Sequence, residues 1–357
     1  MSAHISSRPQ FALDQWNFLL GSPSCTGTIR VQPEDFKVEE LLGFEPSGEG
    51  DHLWASISKR SMNTVEVVSL ISKAVGVRQQ DVGFSGQKDR NAITRQWFSI
   101  PIRNDRDKLS KTVEDFVSDH SQLELITLSA QPNKLKRGVH RANRFQIRVR
   151  NFSGDEAEME LRLRTINQEG APNYFGPQRF GRGGNNLNTA GSLFQGERLK
   201  INRIARGMAL SAARSWVFNQ VLSERLARWI WNEPILGDAM QLDGNNAYFI
   251  HDGSDLSVVD RIARHDLHLT GPLWGQGEVP TKGEVAQFES KVVGNIPLLP
   301  EGLAHFSMRQ QRRALRLIPQ ELTWSFEQGN EIRLEFVLPS GSFATALLRE
   351  ILIFNAQ

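Results

Sequence analysis

The strongest constraint on the fold is an alternating apolar pattern close to the C-terminus. Every second residue is apolar through Ile332, Leu334, Phe336 and Leu338, which predicts a half-buried β-strand. A strand needs backbone partners, yet the chain from about residue 170 onward favours helices and turns. We therefore predict that this strand returns to a sheet built by the N-terminal part of the chain.

The first 165 residues carry most of the other strand patterns. The segments predicted as strands are 27–31, 36–41, 52–57, 96–100, 123–129 and 144–150. A helix is predicted for residues 64–74, with Asn63 as its cap, Glu66 three residues later and Gly76 as its stop signal. Further helices are predicted for 192–199, 208–231, 302–317 and 343–353, and a strand for 322–326. These elements indicate an α+β fold with domains 1–169 and 318–357 around an inserted domain, 170–317.

Composition narrows the class of protein. A length of 357 residues favours two domains. There is no apolar run of membrane-spanning length, and residues 1–10 lack the pattern of a secretory signal. The single cysteine, Cys25, excludes an internal disulfide and a zinc site built from cysteines. We expect a cytoplasmic monomer without a metal, a nucleotide cofactor or a membrane partner.

The net charge of +2 is small, but its distribution is uneven. Residues 132–150 contain seven Lys or Arg and no acid. A second group (Arg309, Arg312, Arg313 and Arg316) follows the three- to four-residue spacing of a helix face. Either group alone is compatible with an ordinary solvated surface, whereas the two together favour a polyanionic partner.

Residues 81–100, DVGFSGQKDRNAITRQWFSI, join two apolar runs through a polar loop. The loop places Asp89 between Lys88 and Arg90, and neighbouring cations favour an ionised carboxylate. Loops mounted on a sheet often carry catalytic groups, although an aspartate in a turn more commonly bonds backbone amides. The loop taken alone therefore favours a structural role for Asp89 over a catalytic one.

Six segments together resemble the TruD family of tRNA pseudouridine synthases. They are the 81–100 loop, RVQPEDFKVEELLGFEPSGEGDH (30–52), PNKLKRGVHRANRF (132–145), PNYFGPQRFGRGGNN (172–186), ALSAARSWVFNQ (209–220) and LPSGSFATALLREIL (338–352). The similarity runs in order from about residue 25 to 353 and is weakest around 232–300. It implies a mixed, mainly antiparallel sheet flanked by helices, with a largely helical α/β insert. It also implies isomerisation of uridine 13 of certain tRNAs to pseudouridine, with no cofactor.

The resemblance also implies site residues. Asp89 falls at the family's catalytic aspartate, while Phe36, Asn143 and Phe343 match positions that line the uridine pocket. Arg30, Lys88 and Arg90 are expected to keep Asp89 ionised, and Glu34 to orient one of them. Phe145 is expected to support the pocket.

Two other functions remain open from sequence. One is a catalytically silent protein that binds or folds structured RNA on the same scaffold. The basic segments and aromatic residues would serve it equally well, whereas a carboxylate close to phosphate would not. The other is a metal-dependent hydrolase, which the lack of further carboxylates in the loop disfavours.

Overall fold

The computed structural model describes residues 11–13, 15–245 and 247–356. The strands are β1 (Thr26–Ile29), β2 (Phe36–Leu41), β3 (His52–Arg60), β4 (Gly83–Phe84), β5 (Ile93–Pro101), β6 (Leu123–Gln131), β7 (Ala142–Ser153), β8 (Ala171–Pro172), β9 (Ala239–Leu242), β10 (Tyr248–Ile250), β11 (Leu267–Leu273), β12 (Gln311–Ala314), β13 (Arg316–Leu317), β14 (Gln320–Glu327), β15 (Glu331–Pro339) and β16 (Ile353–Ala356). The α-helices are α1 (Thr64–Val75), α2 (Arg106–Ser118), α3 (Glu156–Glu169), α4 (Asn185–Phe194), α5 (Arg203–Ala227), α6 (Val258–Ala263), α7 (Gly283–Gly294), α8 (Leu299–His305) and α9 (Ala344–Ile351). None of the helices in these described ranges has the length and apolar character needed to cross a membrane.

The described residues fall into two compact units. The sheet unit comprises Ser24–Glu160, Pro319–Ala344 and the C-terminal segment from Leu352. The helical unit comprises Leu161–Ile318 and Thr345–Ile351, together with the N-terminal segment up to Pro23. The domain division expected from the sequence stays a prediction.

The sheet unit is built on strands in the order β14-β15-β7-β2-β5-β3-β6. Neighbours along this path are antiparallel except β2 and β5, and β16 pairs in parallel with β1. The alternating C-terminal strand does return to this sheet, because β15 pairs with β7 and sets Phe336 opposite Phe145. Helix α1 buries Val67 and Ile71 in one core with Ile57 and Phe98 of the strands. The predicted α+β fold with a mixed, mainly antiparallel sheet is confirmed.

Two differences from the predicted extents bear on the site and on the edge of the sheet. Strand β3 continues to Arg60, three residues beyond the predicted end, and therefore includes Lys59. The predicted helix 343–353 ends at Ile351, and residues from Ile353 form β16 instead. The sequence gives no sign of β16, because its strand character depends on pairing with β1, more than 300 residues earlier.

The helical unit is organised around α5, whose buried side chains include Trp216 and Phe218. This helix begins five residues before its predicted start, since the Asn202 side chain caps it by accepting from the Ala205 amide at 2.8 Å. The helix predicted for 192–199 is displaced. The observed α4 ends at Phe194, and Gly196 beyond it adopts a left-handed φ of 80°, which is a common way for a helix to end.

The helix predicted for residues 302–317 is wrong after residue 305. Strands β12 and β13 follow α8, and β12 pairs with β11. The arginines of this segment do not form an exposed helical face. Arg312 is buried in an ion pair with Glu289 at 2.7 Å, Arg316 is buried, and the Arg313 guanidinium lies 4.2 Å from the ring centroid of Phe175. Interpreting the whole cluster as a nucleic-acid surface is therefore also wrong, since only Arg309 among the four is exposed.

Candidate active site

The loop between β4 and β5 carries Asp89 and is held from three directions. The Lys88 amide donates to Thr64 Oγ1 on α1 at 3.0 Å, and the Gln96 side chain of β5 donates to the Gly86 carbonyl at 3.2 Å. The Gly138 amide donates to the Ser85 carbonyl at 2.9 Å. The loop has no regular structure but is anchored to the rigid elements around it, which is how a sheet can position a reactive side chain.

Asp89 lies at the surface of this loop and is paired with a cation. Its side chain is 47% exposed, and its Oδ2 lies 2.7 Å from Arg30 Nη2. The same guanidinium lies 4.1 Å from the ring centroid of Phe36. Arg30 follows β1 and has a left-handed φ of 61°, a conformation that costs a non-glycine residue about 1 kcal/mol or more and often accompanies functional sites.

Phe36 and Phe145 form an aromatic layer on the sheet. The two rings meet edge to face with centroids 6.1 Å apart, and Phe145 also stacks on Phe336 at 5.4 Å. Phe36 is only 1% exposed. Phe36 and Phe145 therefore lie in the core of the sheet unit, and Phe36 contacts the guanidinium paired with Asp89.

Asn143 and Lys88 lie together in a buried polar cluster. Lys88 Nζ donates to Asn143 Oδ1 at 2.7 Å and lies 3.1 Å from Oε2 of the buried Glu40. Burial raises the pKa of Glu40, and the Lys88 ammonium acts against that rise. Glu40 and Asn143 face each other in the register of β2 and β7. Lys88 therefore pairs with the buried Glu40, and its expected role in keeping Asp89 ionised stays a prediction.

The remaining predicted residues lie nearby with different contacts. Phe343 is half-buried, three residues beyond Ser340, whose amide donates to the Arg141 carbonyl at 2.9 Å. Arg90 is exposed. Glu34 pairs with Arg60, and its expected role in orienting a cation near Asp89 stays a prediction.

Two residues of the site are not predicted from the sequence, Lys59 and His140. Lys59 is 1% exposed, and its Nζ donates to the Met62 carbonyl at 2.5 Å and to the Asp89 carbonyl at 3.3 Å. It therefore holds the backbone of Asp89 from beneath. A lysine near the end of a strand is usually solvated. Only a prediction that the strand continues past Ile57 would have indicated that Lys59 belongs to the sheet. His140 lies beside Asn143 within the basic segment, where its residue type suggests an ordinary loop position.

We expect Lys59 to make stability depend on alkaline pH. Burial lowers its pKa to about 8, whereas the unfolded value is about 10.4. Between these values the unfolded chain binds more protons, so the free energy of unfolding contributed by Lys59 rises with pH. Relative to Lys59→Met, the wild type should gain on the order of 2 kcal/mol between pH 7.5 and 10.5 in urea unfolding. A difference that stays constant over this range would contradict the assignment.

The fold and the Asp89 loop together define an α+β protein with a candidate enzymatic site, and the chain is similar to known proteins over most of its length. A family model described as tRNA pseudouridine synthase D (TruD) matches residues 12–197 and 194–351. The tRNA pseudouridine synthase D of Nitrosococcus oceani is 41% identical over 330 residues, covering 92% of this chain and 91% of its own. The protein of that name from Pseudomonas aeruginosa strain LESB58 is 40% identical over 332 residues, covering 93% and 92%.

A solved structure shows the same fold. It is a crystal structure from Methanosarcina mazei, provisionally named tRNA pseudouridine synthase D, with a TM-score of 0.71 at 21% identity. It covers 97% of this chain and 96% of its own. The family match and the two relatives establish that the chain belongs to the tRNA pseudouridine synthase D (TruD) family and is an enzyme of the isomerase class.

Proposed function

We propose that this protein converts uridine 13 of certain tRNAs to pseudouridine in the cytoplasm, with Asp89 as the catalytic carboxylate. Family membership supports the reaction and the tRNA substrate, since the relatives are named for both. The observation that carries the role of Asp89 is its placement. It is an accessible carboxylate on an anchored loop, paired at 2.7 Å with Arg30, and its backbone carbonyl is held by a buried lysine.

The proposed reaction is an isomerisation in which no atom is gained. The N1–C1′ bond of uridine breaks, the base turns, and a C5–C1′ bond forms. The proton on C5 leaves and N1 ends protonated. An ionised aspartate can act as nucleophile or as base in such a sequence. Attack at C1′, attack at C6 and elimination beginning at C2′ all need a carboxylate beside the extruded nucleotide.

The proposed uracil site combines rings with an amide. Phe36 and Phe343 are proposed to contact the flat faces of the base, because stacking tolerates its rotation. Asn143 is proposed to read the uracil edge. One N–H and one lone pair remain on its amide after the bonds to Lys88 and His140, which matches the N3–H and a flanking carbonyl of uracil.

The supporting residues take distinct proposed roles. Arg30 pairs with the Asp89 carboxylate and supplies its counter-charge, and the exposed Arg90 adds positive charge on the same loop. Lys88 acts through Asn143 and Glu40. Phe145 supports the ring of Phe36.

The test of this function uses tRNA labelled with tritium at uridine C5. Formation of pseudouridine replaces the C5–H bond, so the purified protein should release tritium to solvent. Sequencing of the product should place pseudouridine at position 13. Tight tRNA binding without tritium release would instead indicate the catalytically silent RNA-binding protein.

The basic segment beside the loop provides a candidate surface for the tRNA backbone. Lys136, Arg137 and Arg141, the basic rim, are all exposed. The Arg137 guanidinium lies 5.4 Å from the ring centroid of Phe84, just before the Asp89 loop. By contrast, Arg144 in the same segment is paired with Glu321 at 3.0 Å. The rim therefore presents positive charge at the edge of the proposed site.

We expect neutralising the rim to weaken tRNA binding in a salt-dependent way. In Arg137→Gln/Arg141→Gln, the slope of log Kd against log salt should fall by roughly 0.7–0.9 for each phosphate that the variant no longer neutralises. Arg144→Gln is the matched control, since its charge is already balanced by Glu321, and its slope should stay near that of the wild type. Filter binding at several salt concentrations measures both. Equal slopes for the double variant and the wild type would exclude the rim from the interface.

A further inference from the structure

His140 is a buried histidine whose ring is bonded at both nitrogens. Its Nδ1 lies 2.5 Å from Ser85 Oγ, and its Nε2 lies 3.3 Å from Asn143 Nδ2 and 3.1 Å from Ser340 Oγ. The backbone amide of His140 also donates to Ser85 Oγ at 3.0 Å. Contacts from three separate segments therefore fix the position and plane of the ring.

The ring is neutral, which determines its hydrogen-bonding roles. Burial, with a smaller contribution from the Lys88 charge, lowers the pKa of His140 to about 4. An amide nitrogen can only donate, so the Nε2 that faces Asn143 Nδ2 must accept. The proton of the neutral ring is then on Nδ1, where it bonds Ser85 Oγ. The imidazole therefore presents an acceptor to Asn143.

Asn143 is consequently held between two different partners. Lys88 Nζ can only donate, and it bonds Oδ1 at 2.7 Å, while the neutral ring accepts from Nδ2. Rotating the amide by 180° would place Nδ2 against an ammonium group and Oδ1 against a ring acceptor. Each buried hydrogen bond broken in this way costs about 1–3 kcal/mol. Lys88 and His140 together therefore fix which end of the amide is oxygen.

We infer that His140 is a positioning residue that makes the site discriminate uridine from cytidine. The inference rests on the proposed function, in which Asn143 reads the base edge. Uracil presents an N3–H donor beside a carbonyl acceptor, whereas neutral cytosine presents an N3 acceptor beside an amino donor. An amide free to rotate can match either base, but an amide with fixed ends matches only one.

The fixed Asn143 amide matches both the uridine substrate and the pseudouridine product. Rotation of uracil about its N3–C6 axis exchanges O2 with O4 and leaves N3–H in place. The edge therefore shows the same order of acceptor, donor and acceptor before and after the isomerisation. A fixed amide can keep its two bonds to the substrate and to the product, while still excluding cytosine.

The test compares binding of two tRNA transcripts that differ only in having U or C at the target position. All proteins carry Asp89→Asn, so that no turnover occurs, and the ratio of the two Kd values is the readout. Adding His140→Phe should lower the preference for uridine about tenfold or more, since a bidentate base contact contributes about 1–3 kcal/mol of discrimination. His140→Gln can accept from Asn143 and donate to Ser85, and should retain the preference. Asn143→Ala removes the amide that is proposed to contact the base edge, and its Kd ratio gives the preference that remains without this contact.

A second variant, Ser85→Ala, tests the inference independently in case His140→Phe does not fold. Ser85→Ala removes the acceptor of the Nδ1 proton, which allows the other tautomer and an amide rotation, and should give an intermediate preference. An unchanged U-to-C ratio in both variants would overturn the inference. Pseudouridine formation by the wild-type protein, which keeps Asp89, tests the proposed function separately. Loss of that activity overturns both proposals, whereas normal activity with an unchanged ratio overturns only the role of His140.

Discussion

Replacing Asp89 by asparagine should abolish tritium release from tRNA labelled at uridine C5. The substitution preserves the shape of the side chain but removes the charge and the basic oxygen that a nucleophile or a general base needs. Loss of such a group typically lowers kcat by about 10⁴-fold or more. The rate is measured under single-turnover conditions with excess enzyme, which excludes effects of product release.

Binding distinguishes a chemical role of Asp89 from a structural one. Because Asp89 is about half-exposed, Asp89→Asn should keep its fold and bind tRNA within a few-fold of the wild type. The matched control is Asp115→Asn, the same chemical change in an exposed pair with Lys111 on α2, which should leave the rate unchanged. An Asp89→Asn protein that releases tritium at the wild-type rate would refute the catalytic assignment.

The second large effect is expected at Lys88, and it is primarily one of stability. Lys88→Met leaves Glu40 buried without the ammonium that lies 3.1 Å away in the wild type. Breaking a buried ion pair by removing one partner costs about 3–5 kcal/mol. The pKa of Glu40 is already raised by burial and should rise further in the variant. As pH rises, the Glu40 carboxyl then loses its proton at a lower pH in the unfolded chain than in the folded variant. The loss in free energy of unfolding caused by Lys88→Met should therefore be larger at pH 8 than at pH 5.

A double variant separates stability from activity at this position. Lys88→Met/Glu40→Met replaces both charges by apolar side chains, which is often neutral for stability, and should recover most of the free energy of unfolding. It should not recover full tritium release, because Asn143 still lacks the donor that fixes its oxygen. Urea unfolding and the release assay are run on the same preparations. A stable single variant would refute the structural role of Lys88, and a fully active double variant would refute its role in the site.

The sequence predicts much of the sheet unit because its signals are local. The alternation around Phe336 and along β7 identifies strands directly, and the cap and stop residues define α1 to within one residue. The Asp89 loop and the polar position Asn143 are also visible as residue types next to predicted strands. In the structure, both lie at the ends of strands of one sheet.

What the sequence does not predict depends on distant partners. Arg312 and Arg313 belong to a group of arginines with helical spacing, but their partners are Glu289 and Phe175, and those interactions accompany strand pairing. Lys59 and His140 are of residue types that are usually solvated, and only the segments packed over them make them part of the site. Burial of a polar group is a property of the folded chain, so the residue type alone does not indicate it.

The guanidinium of Arg30 has one consequence for the order of events. It lies over Phe36 at 4.1 Å and bonds Asp89 at 2.7 Å, so in the proposed site a nucleobase that stacks on this face of the phenyl ring would take its place. The incoming pyrimidine would then also separate the acid from its counter-ion. Under this proposal, seating of the base and unmasking of the carboxylate would be a single step, and the anion would be uncovered only when a target is present to receive it.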